Sequence, residues 1–144
     1  MGGENISRII QNIKNINSNI NFILQPNTKT EYLREFLYKN KFNIISESIA
    51  EDENRLYNII TAKFIDNINN TEDTYNPKLI DVVAGKNITN TQNQVYIKYI
   101  EKIIKKLSNI LIDLDKKSEE KYNIQTEFGY YSEIEELISE LKNL

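Results

Sequence analysis

The sequence contains no cysteine, no histidine and no tryptophan. The first two absences exclude disulfides, thiolate nucleophiles, zinc sites of the Cys/His kind and every mechanism that uses an imidazole base. No metal site is expected. No apolar run approaches the length needed to span a bilayer, and no basic segment leads into a signal-like apolar stretch, so the chain reads as cytoplasmic. Proline is nearly absent too: two residues, Pro26 and Pro77, so each marks a definite break.

A length of 144 residues normally makes one domain with room for a core, and 40% hydrophobic with 27% charged residues is the balance of a soluble globular chain. Isoleucine (25) and asparagine (21) are over-used against three alanines, the mark of an AT-rich coding sequence, which weakens asparagine as a turn signal. The net charge of −3 hides an asymmetry. From Ser118 to Leu144 seven glutamates face only Lys121 and Lys142, so the rest is slightly positive, with lysines clustered between Lys98 and Lys117. That weakly favours an anionic partner for the middle of the chain and falls short of a nucleic-acid-grade basic patch.

Met1-Gly2-Gly3 precedes Ile6, Ile9, Ile10, Ile13 and Ile16, whose spacing marks a helix face. A Gly-Gly pair before a helix exposes backbone N–H groups at the positive dipole end; read from these residues alone it is a frayed end. Asn21 to Leu24 reads as a short buried strand stopped by Pro26, which cannot donate to a ladder. Thr28 or Thr30 can cap a following helix with Leu33, Phe36 and Leu37 inward and Arg34, Lys39 and Lys41 in solvent. Phe42 to Ile49 and Leu56 to Phe64 read as strands joined by a hairpin turn at Glu51-Asp52-Glu53-Asn54.

The first half is thus the closing half of an α/β sheet with an antiparallel last strand, leaving a long open edge beside Asn21 to Leu24. Ile65 to Asn90 is a polar connector with one short helix expected at Lys78 to Val83. Thr91 to Gln94 fits a capping box opening a heptad stripe of Ile97, Ile100, Ile104, Leu107, Leu111 and Leu114. Ser132 to Glu135 fits a second box, opening a helix with Ile134, Leu137, Ile138, Leu141 and Leu144 on one side. Two such stripes predict an antiparallel helical hairpin, basic on the first arm and acidic on the second. The charge split fits pairing between the arms as well as it fits a nucleic-acid contact.

The order of these elements, with "MGG" before a helix, "FILQPNTKTEYLREFLYKNKFNIISESIAEDENRLYNIITAKF" and a helical hairpin, resembles the C-terminal portion of the bacterial tRNA (adenine(22)-N1)-methyltransferase family. In that family a fourth strand ends in Ala-Gly-Met-Gly-Gly, and a fifth in Leu-Gln-Pro-Asn followed by a Leu-Arg-x-x-Leu helix. Met1, Gly2 and Gly3 match the end of the first; Leu24, Gln25, Pro26 and Asn27 match the second, with Leu33, Arg34 and Leu37 behind them. Phe42 to Phe64, with Glu47, Glu51 and Tyr57, match the sixth and seventh strands. The hairpin turn lacks the glycine the family often has and carries Glu53-Asn54 instead.

The resemblance implies a partial class I (Rossmann-like) methyltransferase domain at 1–66, a connector at 67–90 and a helical hairpin or coiled coil at 91–144. It implies methyl transfer from S-adenosylmethionine to N1 of adenine 22 in tRNA, with the cofactor bound mainly by residues outside this chain. The family's Gly-containing first loop, its ribose-binding acid and its adenine-side strand have no counterpart here, so a truncated sequence, inactive alone, is expected. Rim positions beyond the strand ends fall to Gly2, Gly3, Gln25, Pro26 and Asn27, and tRNA contacts to Lys98, Lys102, Lys105 and Lys106. No catalytic residue is assigned. Apart from the resemblance, Gln25 and Asn27 end a strand and start a helix, and the alternative reading of the whole chain is a non-catalytic α/β and coiled-coil interaction module.

Overall fold

The computed structural model describes residues 1–14, 20–65, 75–89 and 91–144. Ile16, residues 66–74 of the expected connector, and Asn90 lie outside the described residues. The chain divides into two compact units, Met1–Tyr96 and Ile97–Leu144.

The first unit runs α1 (Gly3–Lys14), β1 (Asn21–Leu24), α2 (Thr30–Lys39), β2 (Phe42–Asp52) and β3 (Arg55–Phe64), then a π-helical turn at Asp81–Gly85. Its sheet has the order β1-β3-β2, with β3 antiparallel to both neighbours. The last strand therefore lies in the middle, and β1 and β2 run parallel to each other without touching. One face of the sheet carries Phe22 and Leu24, Phe42 and Ile44, and Ile60 and Ala62. These pack with Ile6 and Ile10 of α1 and Leu33 and Leu37 of α2 into one core. Each fully buried isoleucine or leucine contributes roughly 1.5–3 kcal/mol. Phe42 is the aromatic centre, with Phe22 and Phe64 edge-on at 5.9 and 5.4 Å. The outer edge of β1 is unpaired among the described residues, and its Ile23 is 78% exposed.

Several local expectations need correction. Helix α1 is not frayed at its start, because Gly3 is buried and its N–H donates to the Thr28 carbonyl at 2.8 Å. Ile9, placed on the inner stripe, is 45% exposed. Neither threonine caps α2. The residue before it is Lys29 in the left-handed region (φ 54°), with no side-chain cap. The hairpin turn is tighter than expected. β2 and β3 extend to Asp52 and Arg55, leaving Glu53 and Asn54 at φ 46° and 62°. Positive φ at both central residues is the type I′ pattern that matches strand twist.

The largest correction concerns Arg34, expected in solvent and found fully buried, with Nε 2.7 Å from Glu47 Oε2. A one-residue bulge explains how Glu47 comes to meet it. Ile44 pairs with Ala62 and Ser46 with Thr61, so Ile45 is left over. Burial along β2 follows Phe42 and Ile44 before the bulge and Glu47 and Ile49 after it. The extra residue flips the alternation and turns Glu47 inward.

The second unit contains most of α3 (Gln94–Asp115), a 3₁₀ turn at Ser118–Asn123 and α4 (Tyr131–Leu141). The cap of α3 is Asn93, whose Oδ1 accepts from the Val95 N–H at 3.1 Å, in place of the Thr91–Gln94 box. At α4 the Glu133 carboxylate accepts from the Tyr130 N–H at 2.7 Å, two residues upstream of the expected box. Along α3 the buried positions are Tyr96, Tyr99, Ile100, Leu107 and Leu114, with Ile97 of the expected stripe 45% exposed. Tyr131, Ile134, Leu137, Ile138 and Leu141 form the buried face of α4, and Leu144 lies exposed beyond its end. Asp115 at the end of α3 accepts from Lys121 Nζ at 2.7 Å and from the Tyr131 hydroxyl at 3.1 Å. The Tyr131 ring meets Tyr122 edge-on at 5.4 Å.

Candidate functional site

Two backbone hydrogen bonds bring distant parts of the first unit together. The Gly3 N–H donates to Thr28 O at 2.8 Å, and the Asn27 N–H donates to Met1 O at 3.0 Å. Met1 to Gly3 thereby lies against Asn27 and Thr28, and the N-terminal ends of α1 and α2 sit side by side. This follows from β1, which ends at Leu24 because Pro26 has no N–H, and from α2, which starts only at Thr30. Pro26 is buried, whereas Gln25 and Asn27 on either side of it are exposed.

Gly2 and Gly3 differ in what surrounds them. A β-carbon on Gly3 would lie 2.3 Å from the Lys29 carbonyl oxygen and 3.1 Å from Leu33 Cβ, so only glycine fits that approach. A β-carbon on Gly2 would meet Thr28 Oγ1 at 2.8 Å, the tip of an exposed side chain that can rotate away. Packing therefore requires Gly3, whereas a side chain at Gly2 needs only the Thr28 hydroxyl to move aside. Glu4 and Lys29 close one side, Nζ 2.5 Å from Oε1. The hydrogen bond and charge of Lys29 hold the Glu4 carboxyl below its ordinary range. Thr28 is read from sequence only as a possible helix cap, and Lys29 and Glu4 are not singled out at all; the left-handed turn that carries Lys29 has no sequence signal in a non-glycine residue.

The lysines named from sequence, Lys98, Lys102, Lys105 and Lys106, are all exposed along α3. Lys106 is engaged within its own unit, 3.2 Å from Glu127 and 4.4 Å above the Phe128 ring. Among the described residues no group of three or more potential ligands could hold a metal ion, and no helix is long and apolar enough to cross a membrane.

The sequence profile of the tRNA (adenine(22)-N(1))-methyltransferases matches residues 1–137. The chain belongs to this family. A Bacillus subtilis (strain 168) tRNA (adenine(22)-N(1))-methyltransferase is 34% identical over 64 residues, which are 44% of this chain and 27% of that relative. A Streptococcus pneumoniae protein assigned as a tRNA (m1A22) methyltransferase superposes with TM-score 0.70 at 25% identity, over 96% of this chain and 58% of that one. The same protein in complex with S-adenosyl-L-methionine superposes at 0.68 and 23% identity, over 99% and 56%. A Streptococcus agalactiae protein of the NADB-Rossmann superfamily shares the fold at TM-score 0.69 and 24% identity, over 99% and 56%. The chain thus spans little more than half the length of the solved relatives it matches.

Proposed function

We propose that this chain forms part of a tRNA methyltransferase that transfers the methyl group of S-adenosylmethionine to N1 of adenine 22. In this reading Gly2, Gly3, Gln25, Pro26 and Asn27 line the substrate side of the reaction site. The cofactor is held chiefly by residues outside this chain. Residues 1–66 belong to a Rossmann-like methyltransferase domain, 67–90 connect it onward, and 91–144 form an antiparallel helical hairpin of coiled-coil type that helps to hold tRNA in the cytoplasm. The observation that carries the reading is the closure of Met1–Gly3 onto Asn27 and the adjoining Thr28, since Met1–Gly3 and Leu24–Asn27 are the two stretches that resemble family motifs and lie far apart in sequence.

The residues of the rim suit that chemistry. Adenine N1 carries its own lone pair and attacks a sulfonium methyl directly, so the site needs position more than a strong base, and the lack of histidine is no obstacle. The cofactor, when bound, supplies the methyl group. Gly2 carries no side chain, so once the Thr28 hydroxyl beside it turns away a flat base extruded from the tRNA can approach the backbone. The Gln25 and Asn27 amides can each donate and accept toward a base edge.

The test is filter binding of this chain to tRNA. Changing Lys98, Lys102, Lys105 and Lys106 together to Glu is expected to weaken binding by at least about tenfold, with a shallower salt dependence. Unchanged affinity would remove α3 from the tRNA contact.

A further inference from the structure

Residues 82–89 run along the outer edge of β2, attached in a way unlike a sheet strand. Among the described residues the ladder is a single rung. The Glu47 N–H donates to Asn87 O at 2.8 Å, and the Thr89 N–H donates to Glu47 O at 3.0 Å, a lone parallel bridge opposite Ile88. The Asn87 side-chain amide donates to the Ile44 carbonyl at 2.5 Å, and the Thr89 hydroxyl to the Glu47 carbonyl at 3.3 Å. The apolar contribution is also small, since among these eight positions only Val83 and Ala84 are buried hydrophobics.

What addresses the segment is the buried charge pair. Arg34 Nη1 donates to the carbonyls of Val82 (3.1 Å) and Val83 (2.9 Å), its Nη2 to Asn58 Oδ1 (3.1 Å) and its Nε to Glu47 (2.7 Å). One guanidinium therefore joins α2, β2, β3 and the π-helical turn. Gly85, at φ +93°, folds over the pair so closely that a β-carbon there would lie 2.9 Å from Arg34 Nη2 and 3.1 Å from both Glu47 carboxylate oxygens.

As a source of stability the arrangement is poor. Desolvating two charges offsets most of what their attraction returns, and an apolar pair of similar size does as well or better. Glu47 Oε1 and the Tyr38 hydroxyl, moreover, are buried with no hydrogen-bond partner among the described residues, which leaves the network incompletely satisfied. Its distinctive effect is directional. The planar fork of the guanidinium can donate only to carbonyls presented at one place. We infer that Arg34 and Glu47 form the latch of a detachable strap: residues 82–89 dock on β2 through this pair and release from it as a unit, while the sheet stays folded.

Amide hydrogen exchange followed by NMR on the full 144-residue chain tests this. The double variant Arg34→Met/Glu47→Leu removes both charges and keeps the volume. The Glu47 and Thr89 amides, protected through the strap, are expected to exchange at least about tenfold faster, while β1–β3 ladder amides and the thermal midpoint hold. A Glu47→Gln chain, which weakens the pair without emptying the site, is expected to accelerate the same two amides by a smaller factor. Three results would overturn the latch: unchanged protection at Glu47 and Thr89 in both variants, equal acceleration throughout the sheet, or a double variant that fails to fold. The last two would make the strap an integral part of the sheet.

Discussion

At the residue scale the neighbours Gly2 and Gly3 differ sharply in how tightly they are packed. The Lys29 carbonyl and Leu33 occupy the space that a side chain at Gly3 would need, and both belong to backbone or core that cannot yield. Gly3→Ala is expected to lose about 2–3 kcal/mol in urea unfolding, the cost of forcing apart two packed helices. Gly2→Ala is expected to stay within about 0.5 kcal/mol of the parent, because Thr28 need only change rotamer. Glu4 offers a second check. Its pKa in the folded chain is depressed by Lys29, so the ion pair is present above the ordinary carboxylate value of 4.5 and is lost as pH falls through the lower folded value. An NMR titration should place the Glu4 midpoint below 4.5, and Lys29→Met should return it toward that value. Both residues are too exposed for the pair to contribute much to stability. Gly2, Gly3, Gln25 and Asn27 could be named from sequence because short motifs survive as text. Lys29 and Glu4 could not, since their pairing depends on two helix starts meeting in space.

At the element scale, β1, the stop at Pro26 and the β2–β3 hairpin follow from local sterics and alternation, and these could be read directly. Turn chemistry at Glu53-Asn54 could be read only in part, because neither residue favours positive φ as glycine does. Asn54→Gly is expected to stabilise the chain by about 0.5–1 kcal/mol, seen as a higher urea midpoint at constant slope. The bulge at Ile45 was invisible. Alternation in Phe42-Asn43-Ile44-Ile45-Ser46-Glu47 continues equally well in either phase, and only pairing with β3 decides which one the strand adopts. That decision carries Glu47 inward and with it the burial of Arg34. On α2, Arg34 lies beside Leu33 and one turn before Leu37, so helical geometry allowed the inner face. Local pattern assigns it to solvent because its partner stands thirteen positions away.

At the scale of the whole molecule, family membership rests on a match over nearly the full chain, while the solved relatives are almost twice as long. If the cofactor depends chiefly on residues outside these 144, calorimetry with S-adenosylmethionine should show no robust binding by this chain. Micromolar binding would require the rim and its neighbours to hold the cofactor unaided. The open edge of β1, with Ile23 exposed beside it, is the part of the first unit least like a finished sheet, and fluorescence of a hydrophobic dye would report that surface.

The sequence by itself determined the elements and their order, the exclusion of thiol and imidazole chemistry, and the motifs that mark the family. All of these depend on residue type, periodicity and short-range sterics. Only the tertiary structure decided that Gly3 is clasped by Lys29, that β2 changes phase at Ile45, and that Arg34 is buried with Glu47 under Gly85. Whether a charge is desolvated or a backbone is crowded depends on groups far along the chain, and local pattern holds no record of them.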